Sequence, residues 1–245
     1  MFFVMNPLVT VITPTTGAHY LRQAIQSVKD QTYDNIQHLV VVDGEHPRAT
    51  PILQDYPHVD VIKLPYSTGK DRFNGHRIYG ASIYLARGEY VCFLDEDNWF
   101  DPEHIESLMK VINNKFAWAY SLRKIVDSDG KYVCNDDCES LGKWPSVLAE
   151  HDFFVDVGCF FLPKHIALHT SPIWYRKARE PGVIEVDRYL TAVLRQNDLT
   201  YQTNGLYTLN YRAGNTGISV QADFFLKGNE VMKQKYNESL PWKKT

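Results

Sequence analysis

The sequence has no marked excess of charge of either sign. Its 245 residues include 26 Lys and Arg against 29 Asp and Glu, a formal net charge of −3. It also lacks any block of basic residues interleaved with aromatic residues. Because proteins bind the phosphate backbone of nucleic acids mainly through such basic surfaces, we expect no nucleic-acid partner.

No apolar run in the sequence is long enough to span a bilayer. The first residues have no basic region, and Asn6 and Pro7 interrupt their apolar run, which argues against a secretory signal. Only four cysteines are present, and nothing in their placement requires a disulfide, so we expect a cytoplasmic protein. The mildly basic, aromatic segment 224–244 predicts at most a peripheral contact with a membrane.

Strand and helix patterns alternate through about residue 115. The segments LVTVITPTT, IQHLVVVDG and EYVCFLDED are apolar without strict alternation, which is typical of strands buried on both faces of a sheet. Between these strands the apolar residues are spaced as in amphipathic helices. Another helix is predicted after the last strand, with Asp101 as its N-cap and Pro102 at its first position. This order predicts an α/β fold with a mostly parallel sheet.

The second half of the chain has a different pattern. It predicts a hairpin around 128–130, a strand pair or a strand followed by a helix over 152–167, a helix over 185–198 and a late strand over 206–215. No repeat, low-complexity tract or linker separates the two halves. The sequence therefore predicts one domain over residues 1–245.

Polar residues follow three of the predicted strands: TPTT, DGEH and DEDN. In an open α/β sheet the ligand crevice lies beyond the carboxyl ends of the strands. The third group crowds Asp95, Glu96 and Asp97 together. Carboxylates this close repel one another unless a cation lies among them or water screens them. The turn is therefore either a metal site or a solvated loop, and the convergence of three polar strand ends favours a site.

Two stretches resemble the family 2 glycosyltransferases of GT-A fold: VTVITPTTGAHYLRQAIQSVKDQTYDNIQHLVVVDG and ARGEYVCFLDEDNWFDPEHI. The first resembles the family's strand, Thr-Pro turn, helix and second strand ending in Asp-Gly. The second resembles its Ala-x-Gly-Glu-Tyr segment and Asp-x-Asp turn. The resemblance is good over residues 8–112 and weak afterwards. It implies a Rossmann-like central sheet with helices on both faces, in which 1–115 bind a nucleotide sugar and the variable half, 116–245, binds the acceptor.

The resemblance also implies a reaction. The donor would be a nucleotide-diphosphate sugar, a UDP- or GDP-sugar before others, and the acceptor a hydroxyl of a glycan, a lipid-linked glycan or a small molecule, with inversion at the sugar. Mn²⁺ or Mg²⁺ held by one or two carboxylates would stabilise the charge on the leaving diphosphate. By the same resemblance Asp97 binds the metal, and Asp95 contacts the ribose or the metal and its water shell. Glu96 is expected to point to the other side of the strand.

The nucleotide pocket of such a protein would be lined by the Thr-Pro turn and the second strand end. The resemblance assigns Thr13, Pro14 and Thr15 to this pocket through backbone and hydroxyl contacts, although a plain turn would also explain these residue types. Asp43 would accept a hydrogen bond from the base or the ribose.

Several positions depart from the family's pattern, and two of them concern the phosphate groups. Relatives often carry an Arg-Asn pair near the diphosphate, whereas Gly80 stands here at the Asn position and Arg77 is the nearest cation. A guanidinium can donate two parallel hydrogen bonds to a phosphate, and the alternative is that Arg77 pairs with a surface acid. Late in the chain, Gly214 stands where relatives carry a His that assists the metal or phosphate. Either metal binding is weaker here or another group substitutes, with His151 and Asn215 as the candidates, although a lone polar residue is more often structural.

The catalytic base of relatives is an acid at the start of a helix in the second half, and GVIEVDRYLTAVLRQ is the matching segment. Asp187 fits the second acid of the family's acidic pair, with Val186 in place of the first. Glu185 is the next candidate and Asp152 the third. The alternative for Asp187 is an ordinary first-turn acid that the helix dipole favours.

Two other functions are open at this point. A nucleotidyltransferase that makes nucleotide sugars would share the fold, but such enzymes usually carry a Gly-rich basic loop after the first strand, and TPTTGAHY lacks one. A non-catalytic sugar- or nucleotide-binding protein is the second alternative. The retained acids at positions 95, 97 and 187 favour an enzyme.

Overall fold

The strands of the protein form one mixed sheet. The computed structural model describes residues 6–113, 115–177, 185–197, 199–215 and 219–244. The strands within these residues are β1 (Val9–Thr15), β2 (Ile36–Val42), β3 (Asp60–Lys63), β4 (Tyr90–Phe93), β5 (Trp99–Phe100), β6 (Trp118–Val126), β7 (Tyr132–Asn135), β8 (Phe160–Pro163) and β9 (Tyr201–Arg212). Their order in the sheet is β3-β2-β1-β4-β8-β6-β9-β5, and β7 pairs with β6.

Helices connect and cover these strands. They are α1 (Leu21–Lys29), α2 (Ala49–Gln54), α3 (His76–Leu85), α4 (His104–Asn113), α5 (Lys164–Thr170), α6 (Val186–Gln196) and α7 (Ala222–Lys235). Short 3₁₀ turns lie at Val157–Cys159, Ser171–Trp174 and Pro241–Lys244. None of the helices in the described ranges combines the length and apolarity that crossing a membrane requires.

The first half contains the parallel part of the sheet. Strands β3, β2, β1 and β4 are adjacent and parallel. Val40 and Val42 of β2 pack in a cluster with residues of α1 and α2, whereas Leu39 and Val41 pack against Ile78 of α3. Both faces of β2 are therefore covered by helices, which explains why its sequence is apolar without alternation. The predicted α/β fold with helices on both faces is confirmed.

The second half of the chain adds antiparallel pairs. Strand β8 lies antiparallel between β4 and β6, and β9 runs parallel to β6 for most of its length. The predicted hairpin is formed by β6 and β7, and the alternative of a strand followed by a helix is the correct one for β8 and α5. Strand β5 pairs antiparallel with the end of β9, Trp99 opposite Asn210. This pairing holds the acidic turn between β4 and the end of β9.

The predicted start of α4 was wrong. The helix begins at His104 and not at Pro102, and the Asp101 carboxylate has partners outside the helix. This carboxylate accepts hydrogen bonds from Lys124 Nζ at 2.5 Å and from Asn210 Nδ2 at 2.8 Å. A cation and an amide on neighbouring strands therefore replace the helix amides as its partners. Helix α2 was not predicted, because its six residues, with Pro51 among them, are too few to show a helical period.

A buried ion cluster lies beneath the second half of the sheet. The Arg123 side chain is only 2% exposed, and it donates to Asp136 at 2.8 Å, to Glu139 at 2.6 Å and to Asp156. Its guanidinium also lies 4.4 Å from the ring centre of Tyr211. Buried charges are tolerated only when they are paired and hydrogen-bonded. The cluster therefore ties β6 to the segments that contain the three acids.

Replacing Arg123 by Ala should lower the free energy of unfolding by about 3–5 kcal/mol, because three buried carboxylates would lose their shared cation. Urea unfolding with an unchanged slope would measure this loss. Arg22→Ala is the control, because Arg22 pairs with Asp55 at 2.6 Å but both side chains are about half exposed, at 49% and 58%. The control should change stability little. Similar losses in the two variants would contradict the assignment.

Candidate functional site

A cavity of about 720 Å³ opens at the carboxyl ends of β1, β2 and β4. Residues from all three predicted polar clusters line it, among them Pro14, Thr15, Asp43, Asp95 and Asp97. The convergence predicted from the sequence is therefore present. Thr13 differs from its neighbours, because its side chain is fully buried and its hydroxyl lies 2.9 Å from Nε2 of His38, outside the cavity lining.

The two aspartates of the acidic turn each accept a hydrogen bond from the side chain of another element or segment. Asp95 accepts from the Tyr79 hydroxyl at 2.6 Å, and Asp97 accepts from Asn215 Nδ2 at 2.5 Å. Burial, which is the largest cause, and the charge of Asp97 together raise the pKa of the Asp95 carboxyl to about 7. Burial also raises the pKa of Asp97, while donation from Asn215 opposes that rise. The crowding of like charges read from the sequence is thus real.

Glu96 differs from the two aspartates in its partners. Its carboxylate accepts hydrogen bonds from Thr15, the last residue of β1, and from Thr16 and Ala18 in the loop that follows this strand. It is directed at this loop and away from the donors that hold Asp95 and Asp97. Glu96 still contributes to the cavity wall.

Asp43 organises the neighbouring loop as well as lining the cavity. Its carboxylate accepts from Ser67 Oγ at 2.9 Å, Thr68 N at 2.6 Å, Thr68 Oγ1 at 2.8 Å and Gly69 N at 2.9 Å. Burial raises the pKa of this carboxyl, but the hydrogen bonds from Thr68, Gly69 and Ser67 outweigh burial and leave the pKa below its ordinary value. Asp43 is therefore ionised at neutral pH.

Arg77 lies beside the cavity and is not part of its lining. Its guanidinium carbon is 3.4 Å from the ring centre of Phe73, and it donates to the Thr68 carbonyl at 3.3 Å and to the Tyr175 hydroxyl at 3.2 Å. Neither partner is a surface acid. The arginines that line the cavity are Arg72 and Arg212.

Sequence reasoning missed Arg212, the last residue of β9. Its Nε donates to the backbone carbonyl of Asp97 at 3.0 Å, and its other nitrogens donate to Ser128 O at 2.9 Å and Gln23 Oε1 at 2.8 Å. Its backbone N–H donates to Asn98 Oδ1 at 2.9 Å. The available signal was an arginine two residues before Gly214, a position already compared with the family's pattern. Asn215 from that segment reaches Asp97, whereas His151 lies at a different cavity.

The three candidate bases lie at or near the start of α6. Asp187 is in its first turn and accepts from the Arg188 amide at 2.9 Å. Burial raises the pKa of Asp187 to about 8, and the charges of Asp156 and Glu185 act in the same direction. Asp152 is paired with Arg188, and the Glu185 carboxylate is 3.7 Å from Arg188 Nε.

A second cavity of about 1030 Å³ borders α6. Glu185, Asp152, Phe153 and Phe224 are among its lining residues, whereas Asp187 lines neither cavity. Its arginines are already engaged: Arg188 by acids, and Arg195 by the Gly142 carbonyl and the Tyr201 hydroxyl. Much of the remaining lining is apolar, including Phe224, and of the carboxylates Glu139 and Asp152 are paired with Arg188.

The acidic turn is a partial ligand set for a metal. In the described ranges, no three His, Cys, Asp or Glu side chains are grouped closely enough to hold an ion by themselves. Asp95 and Asp97 supply two carboxylates at one cavity wall. Mg²⁺ is commonly bound by one or two carboxylates, with substrate phosphates and water completing its shell. The residues present fit such a shared site.

The sequence matches known glycosyltransferases over part of its length. The profile described as glycosyl transferase family 2 matches residues 10–151, more than half of the chain. An uncharacterized glycosyltransferase of Rickettsia bellii is 31% identical over 138 residues, which are 52% of this chain and 19% of that protein. Glycosyltransferase GlyA of Streptococcus pneumoniae is 31% identical over 110 residues, 44% of this chain and 16% of that protein. The chain spans well under half the length of these curated relatives.

Solved structures share the fold. TarS of S. aureus in complex with UDP-GlcNAc aligns with a TM-score of 0.66 and 15% identity, over 95% of this chain and 67% of that one. The mannosyltransferase PcManGT of Pyrobaculum calidifontis, in complex with GDP-Man and Mn²⁺, aligns with a TM-score of 0.57 and 12% identity, over 82% of this chain and 55% of that one. The GT-A fold predicted from the sequence is confirmed.

The shared electrostatics of the acidic turn predict opposite shifts in two variants. Asp97→Asn should lower the pKa of Asp95 from about 7 towards its ordinary value, because a neighbouring negative charge is removed. Tyr79→Phe should raise it, because the hydroxyl that donates to the ionised carboxylate is lost. Titration of carboxyl ¹³C shifts in Asp-labelled protein would measure both. Shifts of the same sign in the two variants would contradict the coupling.

Proposed function

Because the chain belongs to glycosyl transferase family 2, we propose that it transfers a sugar from a nucleotide-diphosphate sugar to an acceptor hydroxyl, with the help of a divalent metal and with inversion at the sugar. The observation that carries the proposal is the meeting of the Thr-Pro loop, Asp43 and the acidic turn at one cavity. Ligands of open α/β sheets bind at this edge.

The first cavity is the proposed donor site. Its volume of about 720 Å³ lies within the range of small-molecule sites. Two proteins of the same fold were solved with UDP-GlcNAc and with GDP-Man, which supports a UDP- or GDP-sugar as the donor. Pro14 and Thr15 would contact the nucleoside. Asp43 would accept a hydrogen bond from the base or ribose in place of one of the four that its loop donates.

The acidic turn is the proposed metal site. Bound Mn²⁺ or Mg²⁺ would stabilise the negative charge of the departing diphosphate. Asp97 and Asp95 would hold it, oriented by Asn215 and Tyr79. Arg212 lies against the backbone of Asp97 and lines the same cavity, so its fixed positive charge would favour the diphosphate too.

Asp187 is the proposed base. A base must accept the acceptor's proton, and it does so best when its pKa is close to the working pH. Burial and neighbouring acids bring the pKa of Asp187 to about 8. The alternative is an ordinary first-turn acid stabilised by the helix dipole. The dipole favours the ionised carboxylate and lowers its pKa, whereas the pKa of Asp187 is raised.

The second cavity is the proposed acceptor site. Glu185, two residues before Asp187, lines it, so an acceptor bound there would lie beside the start of α6. Aromatic rings pack against the apolar faces of sugars, and carboxylates accept from their hydroxyls. Because the arginines of this cavity are already engaged, its chemistry favours a neutral glycan over a phosphorylated acceptor.

The metal assignment predicts the behaviour of Asp97→Asn. This variant should lose most of its Mn²⁺-dependent affinity for UDP and GDP while retaining its metal-free affinity, as measured by titration calorimetry. Asp223→Asn is the control, since its side chain is 77% exposed on α7. In the wild type, Mn²⁺-dependent affinity should fall as the pH is lowered through about 7, because a proton on Asp95 competes with the cation. Unchanged affinity in Asp97→Asn would disprove the assignment.

The base assignment predicts the behaviour of Asp187→Asn. Sugar transfer should slow by about 10²-fold or more, while donor affinity stays near that of the wild type. The wild-type rate should rise as the pH rises through about 8, because the ionised carboxylate is the active form, and the variant should lose this rise. Glu185→Gln should have a smaller effect.

Transfer rate and donor affinity measured side by side decide among the candidates. If Glu185→Gln is the inactive variant, the base lies two residues earlier. If both variants remain active, Asp152 is the next residue to change. A wild-type protein that binds donor but neither transfers nor hydrolyses it would be a binding protein and not an enzyme.

A further inference from the structure

Glu96 connects two segments of the candidate donor site. Its Oε1 accepts from Thr16 N at 3.0 Å and Thr16 Oγ1 at 2.8 Å, and its Oε2 accepts from Thr15 Oγ1 at 2.5 Å and Ala18 N at 2.9 Å. One donor is on Thr15, the last residue of β1, and the other three belong to the loop between β1 and α1. Each oxygen of this carboxylate therefore binds one backbone amide and one hydroxyl.

The contact lies where the sheet no longer holds the two segments together. The parallel pairing of β1 with β4 ends at Ile12 opposite Phe93, followed by one further bond from Leu94 N to the Ile12 carbonyl. Beyond this point the segments that follow β1 and β4 separate, and the cavity lies between them. Glu96 bridges them on the far side of that separation, from a half-buried position at the cavity wall.

The loop itself is tightly shaped. Gly17 has a φ of +78°, and a Cβ at this position would lie 2.8 Å from the Ala49 nitrogen. Its amide donates to Thr15 Oγ1 at 2.9 Å, and that same hydroxyl donates to Glu96. The Thr15 hydroxyl therefore links the Glu96 carboxylate to the backbone amide of Gly17, so a shift of the carboxylate would move the loop at Gly17.

We propose that Glu96 is a positioning residue for donor binding, which holds the end of β1 and the loop that follows it, residues 15–18, at a fixed distance from the acidic turn. This inference rests on the proposed function, because the loop would contact the nucleoside and the turn would hold the metal. A donor that touches both segments binds best when their separation is already correct, since less ordering accompanies binding. Glu96 would thus couple nucleoside binding to metal binding, and the coupling is reciprocal.

Glu96→Gln is a sharp test because it keeps the shape and removes an acceptor. Both carboxylate oxygens face backbone amides, so the NH₂ group of Gln must oppose either Thr16 N or Ala18 N, and neither amide can act as an acceptor. Glu96→Asp is the second variant, because it keeps the negative charge while its shorter side chain cannot reach all four donors. Glu106→Gln is the matched control: Glu106 accepts from the Thr32 hydroxyl at 3.0 Å, is exposed and lies outside the cavity.

The experiment measures affinity for UDP and GDP with Mn²⁺, kcat at saturating donor, and hydrogen exchange of the loop amides in nucleotide-free protein. Glu96→Gln and Glu96→Asp should each weaken nucleotide affinity by about tenfold or more, in line with the loss of hydrogen bonds to a charged group. Both should leave kcat within about twofold, the mark of lost binding without lost chemistry. Exchange at Thr16 and Ala18 should accelerate in both, and Glu106→Gln should match the wild type throughout.

Three results would overturn the proposal. Nucleotide affinity in Glu96→Gln equal to that in Glu106→Gln would show that the loop does not need this contact for binding. Full affinity in Glu96→Asp would show that the charge near the metal matters and the contact does not. Wild-type protein that binds neither UDP nor GDP would disprove the proposed UDP- or GDP-sugar donor, and this failure is visible without any variant.

Discussion

One buried guanidinium, that of Arg123, is the interaction on which the second half of the molecule depends. Asp136, Glu139 and Asp156 lie on irregular segments, and their carboxylates enter the interior only because this cation receives them. Glu139 is shared with Arg188 at 2.5 Å, and Arg188 follows Asp187 directly in α6. A chain of ion pairs therefore extends from an interior strand to the first turn of the helix that carries the proposed base.

The same ion cluster influences the charges of the site. Asp156 pairs with Arg123, and its charge contributes to the raised pKa of both Asp95 and Asp187. These two carboxyls have different proposed tasks, one beside the metal and one as the base. In each case burial is the main cause and neighbouring acids add to it. A shared acidic neighbour means that a change at Asp156 would alter both tasks together.

The parallel half of the fold and the meeting of three polar strand ends could be predicted from sequence, because strand direction fixes where such ends lie. The contacts among the site's side chains could not. Asn215 and Asp97 are 118 positions apart, and Arg212 reaches the turn only because β5 pairs with β9 in one particular register. Arg77 was assigned to the diphosphate because it is a cation, whereas its guanidinium packs against the ring of Phe73 beside the cavity. Strand alternation predicted that Glu96 points to the side of the strand opposite Asp95 and Asp97, but alternation alone does not identify the donors that its carboxylate contacts.

The pairing of β5 with β9 has a consequence for how the protein can change in length. Side chains along a strand alternate between faces, so inserting or deleting one residue in β9 between its pairing with β5 and its end would exchange Arg212 for a neighbour at the acidic turn. Tyr211 or Ala213 would then stand where a cation lines the cavity, and Asn215 would be displaced from Asp97. A substitution in β9 changes one side chain, whereas a single insertion there would remove the contacts of both Arg212 and Asn215 with Asp97. Engineered diversity in this region is best introduced by replacement at constant length.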